Sequence, residues 1–303
     1  MELTIKGENI SEPISKCVYT ENATGRADAL DITIDDSSRN IEALRLKKGD
    51  IISASNEAQK SGKMYISHVF YTGNTVAIRA LSTDAKRFTE KTQYKKAISF
   101  EEITKEVANE TGYGLNMVHT LNLYYQEVQR QNETPVTYLA RRLALEGFQM
   151  RIYDDTIIIF DERIQEQKDA VDDLSEDKLQ QLAMSTSDAG LIASIRNRCK
   201  AEGYTIDTYT QSGLPGKALE KNILCSSIAE SERFCKAIMR EANKYEYLTS
   251  GRLEGLNKST GQIIEFETNK AGFSGKKYIY KVAHDLAAEN QMLYMRNVIA
   301  GGY

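Results

Sequence analysis

The run Ser61-Gly62-Lys63-Met64-Tyr65-Ile66-Ser67-His68-Val69 returns as Ser274-Gly275-Lys276-Lys277-Tyr278-Ile279-Tyr280-Lys281-Val282, identical at six of nine positions and displaced by 213 residues. A shorter match, Gly49-Asp50-Ile51-Ile52 with Gly261-Gln262-Ile263-Ile264, precedes each copy at a displacement of 212. One such match can arise by chance in a chain of 303 residues; two in the same order, offset by one loop residue, point to a duplicated domain. Glycine at each entry permits the positive φ of a tight turn. Simple alternation over Lys63 to Phe70 puts Tyr65 and Val69 on one side and Ile66 on the other. A strand apolar on both faces fits one face on the domain core and one on a neighbour, and a fully buried strand fits it equally. Both copies should share one register, because a slip of one residue reverses every side chain. The following strands, Val76 to Leu81 and Met292 to Val298, should pair antiparallel with the repeats.

The rest of the chain falls around these copies. Residues 1–92 are punctuated by Gly, Asn and Ser and include the alternating run Ala29-Leu30-Asp31-Ile32-Thr33-Ile34, as expected of a first small β-barrel. Residues 93–162 read as an α/β module. Ser99-Phe100-Glu101-Glu102 is a capping box flanked by Ile98 and Ile103, with Phe100, Ile103 and Val107 at helical spacing and Gly112 as the stop. Thr134-Pro135 opens a second helix with Val136, Leu139, Ala140 and Leu143 on one stripe, ended by Gly147. Two strands follow around the turn Asp154-Asp155. Residues 163–190 are charged and polar, the pattern of a solvated linker or helix. Residues 191–303 read as a second β-barrel, with a hairpin around Ala201-Glu202-Gly203 and a helix near 228–245 capped by Ser227 and lined by Ile228, Cys235, Ile238 and Ala242. The expected fold is therefore α+β and mostly β: two similar small β-barrel domains with an α/β domain between them.

Charge excludes some functions. With 39 basic and 43 acidic residues spread along the chain, net −4, there is no basic stripe for specific nucleic-acid binding. No apolar run reaches the roughly 20 residues of a membrane span, so no membrane anchor is expected. The N-terminus, Met1-Glu2-Leu3-Thr4-Ile5-Lys6, lacks a signal-peptide core, which points to folding in the cytosol. Cys17, Cys199, Cys225 and Cys235 form no C-x-x-C pair and read as buried free thiols.

The motifs of chemistry are thin. His68, His119 and His284 are far apart and lie in no metal-binding pattern; the repeat strand itself accounts for His68 and His284 structurally. There is no G-x-S-x-G elbow or phosphate loop, and Gly213-Leu214-Pro215-Gly216 reads as a turn. The pairs Glu101-Glu102 and Asp154-Asp155 are explained as a helix start and a turn. No catalytic, metal or cofactor residue is assigned, no cofactor is expected, and no interface residue is identified.

Tyr125-Gln126, Gln131-Asn132-Glu133-Thr134, Tyr138-Leu139-Ala140-Arg141-Arg142-Leu143-Ala144 and Glu146-Gly147-Phe148 are similar to the middle domain of the phage late control gene D family. That family comprises baseplate hubs of contractile tails and tailocins and the hub part of VgrG proteins. Gly25-Arg26-Ala27-Asp28-Ala29-Leu30, Gly49-Asp50 and Gly275-Lys276-Lys277-Tyr278-Ile279 with Val282 and His284 also resemble it, in the family's order over nearly the whole chain. The resemblance implies a structural, non-enzymatic hub. It would be a homotrimer whose six β-barrels form a pseudo-six-fold ring between a three-fold central spike protein and a six-fold tail tube protein, beside other baseplate proteins. It also implies assembly in the bacterial cytoplasm and residence in the baseplate of a phage tail or related injection particle. No extension resembling a lysozyme, a peptidase or a spike needle is expected after the second barrel. The alternative is a tail-associated peptidoglycan hydrolase or carbohydrate-binding component.

Overall fold

The computed structural model describes residues 1–201 and 204–299. Its backbone is α+β and mostly β, organised as one large sheet and three small ones. Thirteen strands of the described residues form the large sheet, and it contains the same five-stranded order twice. In the first unit the order is Ile14–Asn22, Ala29–Asp35, Thr75–Leu81, Met64–Thr72, Ile51–Ser55. In the second it is Gln180–Thr186, Tyr247–Glu254, Asn290–Asn297, Gly275–Asp285, Ile263–Glu267.

The duplication extends to single hydrogen bonds. Ile51 pairs with Tyr65 as Ile263 pairs with Tyr278. Gly49 N–H donates to the Ile66 carbonyl at 2.7 Å and Ile66 N–H to that of Asp50 at 2.9 Å; Gly261, Ile279 and Gln262 repeat the exchange at 2.9 and 3.0 Å. Gly49 and Gly261 hold φ of 87° and 84°, a conformation open mainly to glycine. Both hairpins break register at the same place, between Ile66 and His68 and between Ile279 and Lys281, so Ser67 and Tyr280 are equivalent bulge residues. The bulge corrects the alternation read from sequence. The extra residue returns Val69 to the side of Ile66, where both join the first core with Ile78 and Val76. Ile279 and Val282 do the same in the second core.

Three other expectations change. No ladder among the described residues closes either unit into a separate barrel; Ile14–Asn22 pairs with Gly275–Asp285 and runs the two units into one sheet. The segment 163–190 is not simply a linker or helix. It follows the start of the short helix Glu162–Glu166 and then supplies the strands Asp173–Ser175 and Gln180–Thr186, whose Leu174, Leu182 and Met184 pack into the second core. The hairpin Ile192–Ala201 with Tyr204–Gln211 forms, although Glu202 and Gly203 lie outside the described residues. It joins Lys217–Lys221 in a small sheet of its own.

The α/β module follows its local signals. Ser99 and Glu102 close the capping box of Phe100–Thr111, and Thr134 caps Pro135–Glu146. Gly112 and Gly147 end these helices at φ of 69° and 77°. Phe148–Tyr153, Thr156–Asp161 and Gly114–Val118 make a three-stranded sheet. Ser227 caps Ile228–Asn243, but Ile228 is exposed; Ser231, Phe234, Cys235 and Met239 form the buried side.

If the cores are true copies, Ile66→Ala and Ile279→Ala should each cost about 2–5 kcal/mol. Urea denaturation of the two variants should give losses that agree more closely with each other than with Ile51→Ala, whose residue is 44% exposed.

Candidate functional site: the buried joint between the two units

The joint is built from backbone first. Asn22 to Val18 run antiparallel to Lys281 through Asp285, with Tyr19 opposite His284. The two rings stack with centroids 5.8 Å apart and planes 18° from parallel. Around them lies a polar cluster drawn from three parts of the chain. Tyr19 Oη donates to Asp28 Oδ2 at 3.0 Å. Arg151, from the strand Phe148–Tyr153, donates to Asp28 Oδ2 at 2.8 Å, to Tyr19 Oη at 2.7 Å and to Glu21 Oε1 at 3.0 Å. The second unit answers with the Thr260 amide, 3.0 Å from Glu21 Oε2, and with His284 Nε2 at 3.6 Å from the same oxygen, an electrostatic contact longer than a hydrogen bond. Asp28 also accepts from the Asn22 amide, and its own amide donates to Ser82 Oγ.

Burial sets the electrostatics. Loss of water pushes the Glu21 carboxyl up, but the facing His284 ring, the Arg151 charge and the Thr260 amide outweigh it and hold the group at about 2. For Asp28 burial prevails, and its carboxyl is raised despite Arg151. Removing the guanidinium would leave two buried carboxylates without their cation, the costly case.

A second buried cluster ties the small sheet's helix to the second unit. Glu162 and Glu166 meet Arg296, with Glu162 3.0 Å from its guanidinium; Arg240 reaches Glu166 at 2.6 Å and Lys244 reaches Glu162 at 3.1 Å. Burial raises Glu162, yet Arg296 and Lys244 bring its net shift below the ordinary value.

Sequence reasoning assigned no chemistry to the three histidines and read His68 and His284 as structural, and the structure keeps all three apart. His68 and His119 are exposed, while His284 is buried in the joint. All four cysteines are buried and unbridged. Glu101 and Glu102 open their helix, and Asp155 is held by Lys63, Tyr65 and Arg87. Tyr19, Glu21 and Arg151 were missed. A single arginine in Phe148-Gln149-Met150-Arg151-Ile152 looks like a residue on the solvent side of a strand; its one sequence signal was the tripled apolar neighbourhood around it. Asp28 was noticed only within the resemblance. A cavity of about 680 Å³ lies between the units and is lined by Glu57, Gln180, Arg252, Glu254 and Glu289 among others. Its lining contains no Ser, Cys or His to serve as nucleophile or base.

No protein-family model and no curated protein matches the chain. Solved structures do. A 43 kDa tail protein of prophage MuSo2 from Shewanella oneidensis superposes with a TM-score of 0.78 at 13% identity, covering 97% of each chain. A tail protein from Neisseria meningitidis MC58 gives 0.78 at 9% identity over 98% of this chain and 95% of that one. An Escherichia coli type VI secretion component, described as structurally similar to bacteriophage T4 tail proteins, gives 0.64 at 11% identity, covering 100% and 79%. The chain thus has the fold of phage tail proteins and of a type VI secretion component.

Arg151→Ala should destabilise the protein by roughly 3 kcal/mol or more in chemical denaturation, because it strands buried carboxylates. The pH dependence has a definite sign. Glu21 is depressed from 4.5 to about 2, so its contribution is present above about pH 4.5 and is lost as pH falls towards 2. Over that window Glu21→Gln should flatten the acid limb of the stability curve by up to about 3 kcal/mol. A limb of unchanged slope in that variant would show that Glu21 is not held ionised by the joint.

Proposed function

We propose that the protein is a structural, non-enzymatic hub of a contractile-tail baseplate or related injection particle. In this reading it is a homotrimer whose six β units form a ring of pseudo-six-fold symmetry between a three-fold central spike protein and a six-fold tail tube protein. It assembles in the bacterial cytoplasm and then resides in the baseplate. The observation that carries the reading is the joint: two copies of one unit, equal in strand order, register and bulge, already joined edge to edge by backbone pairing. A chain that holds two equivalent units is what a three-fold object needs in order to present six similar surfaces. The tail-protein fold and the late control gene D resemblance support it. No helix of the described residues is long and apolar enough to cross a membrane.

One observation keeps a second reading in view. Glu57, Glu254 and Glu289 line the large cavity, where a peptidoglycan hydrolase could place two carboxylates. All three are exposed, whereas a glycosidase acid needs its pKa raised by burial.

Light scattering should give about three times 34.1 kDa, at least with a spike or tube partner present, and negative-stain images should show a ring. A single chain mass in the presence of those partners would sink the hub reading. A cleared band in a peptidoglycan zymogram, abolished by Glu→Gln changes at the cavity, would establish the hydrolase instead.

A further inference from the structure

The joint uses only one edge of each unit, so each unit leaves one matching edge unused. In the second unit, Gly275–Asp285 pairs with Ile263–Glu267 along the first part of its edge and with Ile14–Asn22 along the rest, from Lys281 to Asp285. The equivalent strand Met64–Thr72 pairs with Ile51–Ser55 only near its start, and among the described residues no strand covers the stretch His68 to Thr72 on that edge. Likewise, the counterpart of Ile14–Asn22 is Gln180–Thr186, the terminal strand of the large sheet, with one edge open. The molecule therefore carries one completed joint and, separately, the two halves of another.

We infer that a second copy of this chain completes it: the open edge of Gln180–Thr186 from one copy adds antiparallel to the open stretch His68 to Thr72 of the next. The inference rests on the ring reading above and supplies the interface that reading lacks. Three observations favour a second copy over another partner. First, the template is present in the same chain. Second, neither edge carries the charges or prolines that keep exposed strands apart. Gln180-Gln181-Leu182-Ala183-Met184-Ser185-Thr186 has no charge and no proline, and His68-Val69-Phe70-Tyr71-Thr72 has no Asp, Glu, Lys or Arg. Third, residues that the internal joint buries are uncovered in the copy. His284 is fully buried, whereas Tyr71, which corresponds to it, is 46% exposed, and Phe70, which corresponds to the half-buried Ala283, is 62% exposed.

Equivalence fixes the register. Tyr65 matches Tyr278, and both ladders shift at the same bulge, so Lys281 matches His68 and Ala283 matches Phe70. Following cross-strand partners through Leu81 and Arg296, then Ala29 and Leu248, makes Thr20 equivalent to Ser185 and Tyr19 to Met184. The internal pairs Ala283 with Thr20 and His284 with Tyr19 then become Phe70 opposite Ser185 and Tyr71 opposite Met184 between copies. The contact is heterologous, so each copy uses a different edge on either side, and repetition closes a ring.

The test uses the full chain carrying Phe70→Cys with Ser185→Cys, and as a slipped control Phe70→Cys with Met184→Cys. Both are mildly oxidised and run without reductant beside the parent chain, whose own cysteines are buried. The matched pair should give covalent multimers up to the ring, about tenfold above the slipped pair, since a one-residue slip turns the side chain to the other face. If the parent has an oligomer's mass but the matched pair cross-links no more than the slipped pair or the parent, the edge pairing is overturned and the ring reading stands. If the parent remains one chain even with a spike or tube partner, both fall. As an independent arm, Phe70→Lys with Ser185→Lys places charge on two exposed positions and should reduce the oligomer to single chains with the melting transition intact. An oligomer that survives both lysines overturns the edge pairing as well.

Discussion

Everything in the large sheet hangs on the pairing of Ile14–Asn22 with Gly275–Asp285. Backbone amides and carbonyls at a buried strand must find partners, and these two strands lie at opposite ends of the chain. Once they pair, the first and second units cannot turn independently, and the segments between them must leave the sheet and return. The intervening module does so on the side where Arg151 reaches Asp28, Tyr19 and Glu21. The guanidinium's bonds all go to the first unit, so they tie the inserted module to the strand Ile14–Asn22; across the joint itself, Glu21 adds the Thr260 amide and the His284 contact to the backbone pairing.

Much of this architecture was legible because it rests on local rules. The capping box at Ser99, the Thr134-Pro135 start and the glycine stops at Gly112 and Gly147 each depend on a few adjacent residues, and each formed where they predict. The repeat was legible because both copies keep their turn glycines and their Tyr-Ile pair. Two things were not. The side of Val69 depends on a bulge at Ser67, and an inserted residue leaves no mark on an apolar–polar pattern. The segment 163–190 reads as solvated because its apolar residues are isolated; Leu174, Leu182 and Met184 become core only once the second unit supplies the other face.

The joint cluster was the least legible part. Tyr19, Glu21, Asp28, Arg151 and His284 span most of the chain, and each looks ordinary in its own strand. Their meaning comes from a cross-strand register and a third element arriving from outside the sheet. Only coordinates hold that information. The same applies to Glu162, Glu166, Arg240 and Arg296, charged residues on short or amphipathic segments that are buried by one another.

The two copies differ in polarity at equivalent positions: Lys277, His284, Gln291 and Arg296 of the second stand where the first has Met64, Tyr71, Val76 and Leu81. The first core is lined by Leu3, Ile5, Leu30, Ile32, Ile34 and Ile52, whereas the second unit buries Lys277, His284, Gln291 and Arg296. Burial lowers the Lys277 ammonium to about 8, and it leans on Asn297 and the faces of Phe266 and Phe273. Buried polar groups are poor sources of net stability, so their value is better sought in specificity. A duplicated chain faces a definite hazard: the strand Ile14–Asn22 of one molecule can meet the wrong repeat of another. Glu21 needs a partner across the joint. The second unit supplies His284 and the Thr260 amide; at the position of His284 the first unit has Tyr71. Tyr71 puts a phenol where the joint has an imidazole nitrogen 3.6 Å from Glu21, so the N-terminal edge is matched to its own C-terminal unit. The uncharged pair of edges has no such discriminating carboxylate, which is consistent with the proposed association between copies.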